Sequence, residues 1–145
     1  MSRLQLALRV ADLDASTAFF TTLLGVAPHK QRPGYANFAS DNPALKLILF
    51  EDADAVGQID HLGIEVDTPE EVLAATSRLQ ESGHAVDTRI KELCCHAVQD
   101  KVWVDGGDGN RWEVYTIVDD EPAVDAPGTL PVVTTAEPDT SNVCC

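Results

Sequence analysis

The feature that most constrains this chain is an internal repeat. Leu4-Gln5-Leu6-Ala7-Leu8-Arg9-Val10 and Asp60-His61-Leu62-Gly63-Ile64-Glu65-Val66 share one pattern. Each alternates apolar and polar residues, as a half-buried strand does. Each carries a metal-competent side chain, Gln5 or His61, two places before a small residue, Ala7 or Gly63. A helix follows in both halves. Asp12 or Asp14 caps the first, Phe19, Phe20, Leu23 and Leu24 form its apolar stripe, and Gly25 ends it. Thr68-Pro69-Glu70-Glu71 opens the second as a capping box with proline at its first helical position. Val72, Leu73, Ala75 and Leu79 supply its buried face, and Gly83 stops it.

Three strands are expected to close each half: 27–31, 35–39 and 45–51, then 85–90, 97–105 and 111–118. Gly106 to Asn110 reads as the last hairpin turn. The predicted fold class is therefore α+β, two βαβββ modules over 1–57 and 58–118. Together they form a curled mixed sheet with a metal site in its concave face. From Asp119 onward, prolines punctuate acidic and Thr residues, which predicts a disordered tail over 119–145 ending in Cys144-Cys145.

Strand alternation points to a site. If Leu4, Leu6, Leu8 and Val10 face a helix layer, Gln5, Ala7 and Arg9 face away. The same argument turns His61 and Gly63 away from the second helix, and Glu113 away from the side taken by Trp112 and Val114. Gln5, His61 and Glu113 are thus expected to converge on one divalent metal ion. Two His and one carboxylate form the usual oxygen-activating iron triad. An amide in place of one His predicts looser binding and exchange among Fe(II), Mn(II), Ni(II) and Co(II).

Ten basic residues against 24 acidic ones give a net charge of −14, which repels nucleic acid and anionic membrane surfaces. No apolar run approaches the ~20 residues of a membrane-spanning helix, and the N-terminus shows no signal peptide, so a cytoplasmic protein is expected. The four cysteines form two adjacent pairs, Cys94-Cys95 and Cys144-Cys145. In a reducing compartment these are expected as free thiols, and vicinal thiols suit soft metal or metalloid chemistry. Adjacent strand residues face opposite ways, so two thiols meet one atom only in a loop or bulge. The accessory candidates are Cys144, Cys145 and His96, with Tyr35, Gln99 and Tyr115 as cavity residues. His29 and His84 are assigned to the surface.

Gly107-Asp108-Gly109-Asn110-Arg111-Trp112-Glu113 resembles the turn before the last metal-binding strand of the vicinal oxygen chelate superfamily, the fold of glyoxalase I and extradiol dioxygenases. Arg32 to Ala39, Asp60-His61-Leu62-Gly63, Cys94-Cys95 and Gln99 to Val104 look more narrowly like the organoarsenical carbon–arsenic lyases and the cadmium-induced proteins of actinobacteria. That resemblance implies an Fe(II)-dependent dioxygenase that uses O2 to cleave trivalent organoarsenicals such as methylarsonous acid, or aromatic arsenicals, to arsenite. Gln5, His61 and Glu113 match the metal ligands, and Cys94 and Cys95 the arsenic-binding pair. Glyoxalase-type sites use a fourth side chain on the strand that corresponds here to Leu45–Leu49, which offers no ligand and so disfavours glyoxalase activity. The alternative is a protein that sequesters cadmium or arsenite without catalysis. The expected partner is a small organoarsenical or soft metal ion, and the chain is read as a monomer or homodimer.

Overall fold

In the computed structural model, residues 1–94, 96–107 and 110–123 are described. The elements run β1 (Arg3–Val10), α1 (Leu13–Leu24), β2 (Lys30–Arg32), β3 (Tyr35–Asp41), β4 (Ala44–Glu51), β5 (Ile59–Glu65), α2 (Pro69–Glu81), β6 (Val86–Cys94), β7 (Ala97–Asp105) and β8 (Arg111–Asp119). One mixed eight-stranded sheet has the order β2-β3-β4-β1-β5-β8-β7-β6. The halves meet where β1 and β5 pair antiparallel, and each of these strands has a parallel partner on its other side, β4 and β8. No helix among the described residues is long and apolar enough to cross a membrane.

Both helices begin where local chemistry dictates. Asp12 accepts from Ala15 N, and α1 ends at Gly25 in the left-handed conformation with φ 69°, which glycine adopts at no steric cost. Thr68 and Glu71 close the capping box on α2 with Pro69 at its start, an arrangement that contributes about 1 kcal/mol.

Each helix covers one half of the convex face. Leu13, Phe20 and Leu24 of α1 pack with Ala36, Phe38, Leu47 and Leu49 beneath it, and with Leu6, Leu8 and Val10. Val72, Ala75 and Leu79 of α2 pack with Val102, Val86 and Val114 of the sheet. The expected helix stripes were too wide: Phe19, Leu23 and Leu73 are exposed. Leu4 is exposed as well; it pairs with Ile64, itself exposed, and neither residue belongs to a helix cluster. β8 runs one residue past its predicted end, to Asp119.

Two irregularities decide which side chains enter the concave face. In the β1–β5 ladder Ala7 pairs with His61 and Leu8 with Ile59, so Asp60 is an extra residue on β5. In the β6–β7 ladder Arg89 pairs with Lys101 and Glu92 with Gln99, so Ile90 and Lys91 together oppose Asp100. Lys91 takes φ 53°, and its N–H donates to Asp100 Oδ1 at 2.7 Å. Such bulges re-aim the residues beyond them. Val86 packs under α2; unbroken alternation would put Cys94 on that same convex side. The bulge instead turns Cys94 inward, against Ala7, Tyr35 and Ile48.

Candidate metal centre

Gln5, His61 and Glu113 come from three neighbouring strands, and all three are at most 2% exposed. Gln5 Nε2 lies 3.0 Å from His61 Nε2 and 2.6 Å from Glu113 Oε1. His61 Nε2 lies 3.4 Å from Glu113 Oε1. Adjacent ligands of a six-coordinate ion with bonds of about 2.1 Å sit roughly 3 Å apart, so the trio has the spacing of one face of such a site. An amide offers a nitrogen or an oxygen to the same point by a half-turn of its end group. Glu113 Oε2 is buried and makes no hydrogen bond; its charge is faced by the Lys101 ammonium 3.2 Å away. Among the described residues, no group of three or more His, Cys, Asp and Glu side chains is placed to hold a metal; the trio here has two such groups and an amide.

Gly63 lets these residues meet. It pairs with Gln5 on one side and Glu113 on the other. A Cβ there would stand 2.9 Å from Glu113 Cγ, 3.0 Å from Glu113 O and 3.3 Å from Gln5 Nε2. Ala7, its counterpart in the repeat, has Ile48 as its parallel partner. The position corresponding to Glu113 in the first half is thus apolar.

Asp60 was not anticipated as a site residue, since plain alternation sends it to the opposite face from His61. As the extra residue of the bulge it accepts from His61 Nδ1 at 2.6 Å. Arg9 holds it in turn through Nε at 3.0 Å and Nη2 at 2.6 Å, and also donates to Asp52 at 2.6 Å. A proton kept on Nδ1 leaves the Nε2 lone pair facing Gln5 and Glu113. Burial works to lower the His61 pKa, but Asp60 and Glu113 outweigh it and hold it above 6.5. Burial likewise works to raise Glu113, and His61, Lys101 and Gln5 together keep it below 4.5.

Lys101 is the other residue that the sequence did not single out. It is wholly buried, with Nζ 3.2 Å from Glu113 Oε2 and 3.8 Å from Glu92 Oε2. Trp103, paired with Glu113 in the ladder, lays its ring edgewise to His61 with centroids 5.2 Å apart. Tyr35, Gln99 and Tyr115 line a cavity of about 10 Å³ with Gln5, room for about one water.

Cys94 shares a buried cluster with Ala7, the cross-strand partner of His61, and alternate strand residues such as Gln5 and Ala7 are about 7 Å apart. Cys94 ends β6 and pairs with Ala97, so it belongs to a strand end and not to a loop ahead of β7. It is also disulfide-bonded, whereas a free thiol was expected. Cys95, Cys144 and Cys145 fall outside the described residues. His96 sits edgewise to Tyr35, with ring centroids 5.2 Å apart and φ 65°. His29 is half-exposed and pairs with Asp120; His84 is exposed.

Residues 3–114 match the model of the Glyoxalase/Bleomycin resistance protein/Dioxygenase superfamily, and the chain belongs to that superfamily. It is similar to the trivalent organoarsenical cleaving enzyme of Thermomonospora curvata, 53% identical over 121 residues that cover 83% of this chain and 80% of that one. It is also similar to the cadmium-induced protein CadI of Mycobacterium tuberculosis, 49% identical over 120 residues, covering 83% and 79%. Among solved structures, homoprotocatechuate 2,3-dioxygenase from Brevibacterium fuscum shares the fold at a TM-score of 0.60 and 23% identity, over 78% of this chain and 31% of that one. The Mn(II)-bound glyoxalase from Novosphingobium aromaticivorans shares it at 0.59 and 21%, over 87% and 43%.

Proposed function

We propose that this protein is an Fe(II)-dependent dioxygenase that cleaves the carbon–arsenic bond of trivalent organoarsenicals and releases arsenite. The observation that carries the reading is the meeting of Gln5, His61 and Glu113 within 3.4 Å of one another on a buried face, with Cys94 in a buried cluster that includes Ala7, the neighbour of His61 across the β1–β5 ladder. The name of the Thermomonospora relative supports the substrate class.

Gln5, His61 and Glu113 would hold the metal, which when bound supplies O2 activation at ligand positions left open by Ile48. Asp60 keeps the His61 proton on Nδ1. Lys101 offsets charge beside Glu113. Cys94 and Cys95 take the substrate by valence: two thiols displace two hydroxyls from a monosubstituted arsenical, two waters leave, and the carbon substituent stays on arsenic. The disulfide at Cys94 must first accept two electrons from a thiol reductant, because only the reduced form binds arsenic. Holding arsenic next to the centre supplies proximity. For methylarsonous acid the atoms balance with one O2, giving arsenite and formaldehyde with no other reductant.

The experiment is incubation of reduced, Fe(II)-loaded protein with methylarsonous acid, with and without air. Arsenite and formaldehyde in equal amounts, only under air, are expected. Equal arsenite without O2 rejects a dioxygenase.

A second reading, sequestration of a soft cation, is favoured by the similarity to a protein named for induction by cadmium. Under that reading Cys94→Ser with Cys95→Ser abolishes binding, while Gln5→Ala and His61→Ala change little.

A further inference from the structure

We propose that Lys30 is a positioning residue for substrate capture: its buried ammonium fixes the turn that presents Cys94. This rests on the arsenical reading above and extends it to a residue in the opposite half of the sheet.

Lys30 lies on β2, an edge strand, where a lysine ordinarily points to water. Its side chain is instead 2% exposed. Nζ donates to the carbonyl of His96 at 3.0 Å, to the carbonyl of Asp120, and to Asp120 Oδ1 at 3.1 Å. Glu121 Oε1 stands 3.7 Å away. Three remote segments, the strand at residue 30, the β6–β7 turn and the end of β8, are therefore joined at one cation.

The turn that it holds is the one that matters for capture. His96 follows the cysteine pair directly, in a left-handed conformation that a side chain rarely adopts. Its ring rests against Tyr35, and Tyr35 also packs against Cys94. On the other side Gln99 donates to the Cys94 carbonyl at 3.3 Å. β6 is the edge strand at the far end of the sheet, so among the described residues no further strand orders this turn. Lys30, together with the Tyr35 ring, ties it to the first half, where Ala7 and Gln5 stand. Without that tie the turn can sample positions in which Cys94 is turned away from the inner face, and affinity falls by the fraction of time spent there.

The test uses full-length, reduced, metal-free protein with Cys144 and Cys145 replaced by serine, so that only the remaining pair reports. Calorimetry with methylarsonous acid gives its dissociation constant for the parent, Lys30→Met, Lys30→Arg and Asp120→Ala. Lys30→Met is expected to weaken binding about tenfold, a factor equivalent to ~1.4 kcal/mol. Lys30→Arg restores most of it, and Asp120→Ala gives an intermediate loss. The metal-loaded enzyme is expected to show a raised KM, with kcat and metal affinity within about threefold of the parent. Unchanged arsenical affinity in Lys30→Met, or in Asp120→Ala should Lys30→Met fail to fold, overturns this inference alone. A parent that binds no arsenical overturns the proposed function, and this inference with it.

Discussion

Gly63 and Glu113 approach so closely that a methyl group at residue 63 would stand 2.9 Å from Glu113 Cγ and 3.0 Å from its carbonyl oxygen. The second of these is backbone within the sheet and has no room to retreat. Gly63→Ala is therefore expected to spread β5 from β8 and move the Glu113 carboxylate away from Gln5 and His61. The cost in stability should be about 1–3 kcal/mol. Affinity for Fe(II) or Co(II) should drop at least tenfold, as loss of supporting geometry does. Denaturation and metal titration of the same sample check both; an alanine variant that binds metal as well as the parent contradicts the site.

Asp60→Asn keeps the shape of the side chain but lets the His61 proton settle on either nitrogen. Metal affinity is expected to fall about 10- to 100-fold. The histidine resonances of the metal-free variant should show a mixture of tautomers where the parent shows one. A single unchanged tautomer would assign its control to some other group.

The metal-free protein should have a stability plateau in mildly acidic solution. His61 is held above 6.5 by Asp60 and Glu113 against burial. Its contribution is therefore fully present below 6.5 and is lost as pH rises through the elevated folded-state value. Glu113 is held below 4.5 by His61, Lys101 and Gln5, again against burial. Its contribution is present above 4.5 and is lost as pH falls through the depressed value. The difference in melting temperature between the parent and His61→Gln should be greatest between these limits and shrink on both sides. A difference that keeps growing above pH 7 would contradict the ion pair.

Gln5→His would complete two imidazoles and a carboxylate, and is expected to bind Fe(II) more tightly than the parent. Gln5→Ala removes the donor to Glu113 and should weaken binding by more than the ~10-fold that loss of an outer partner costs. Metal competition assays order the three proteins; an order other than His, Gln, Ala removes residue 5 from the ligand set.

Stability and metal affinity should separate on the convex face. Phe38 is fully buried under α1, and Phe38→Ala is expected to cost about 3–5 kcal/mol. Thr68→Ala removes one half of the α2 capping box and should cost about 1 kcal/mol. Chemical denaturation measures both, and metal affinity of the folded variants should stay at the parent's value.

Alternation and helix punctuation made most of the architecture legible. The repeat of Gln5-Leu6-Ala7 in His61-Leu62-Gly63 placed both side chains on the face opposite the helices. Thr68, Pro69 and Glu71 announced α2 to the residue. What stayed hidden depended on contacts between distant segments. Lys30 and Lys101 were not singled out, because nothing near either in sequence shows that Asp120 or Glu113 will pair with it in the fold. Phe19, Leu23 and Leu73 looked like core, since apolar spacing reports the direction of a helix face but not how far the sheet reaches beneath it. The oxidised state of Cys94 is a matter of redox chemistry that composition alone does not display.

Asp60 and Cys94 on the inner face owe their orientation to a count of residues rather than to their kind. Asp60 on β5 and the Ile90–Lys91 pair on β6 each shift the phase of a strand by one. Substituting residues 60, 90 or 91 can weaken the groups around Asp60 and Cys94 but leaves the register intact. Deleting Lys91 would reverse the parity of everything from Glu92 to Cys94 and send the sulfur to the helix side. A chain altered in that way would keep every atom of its thiol chemistry and present it to the wrong side of the sheet.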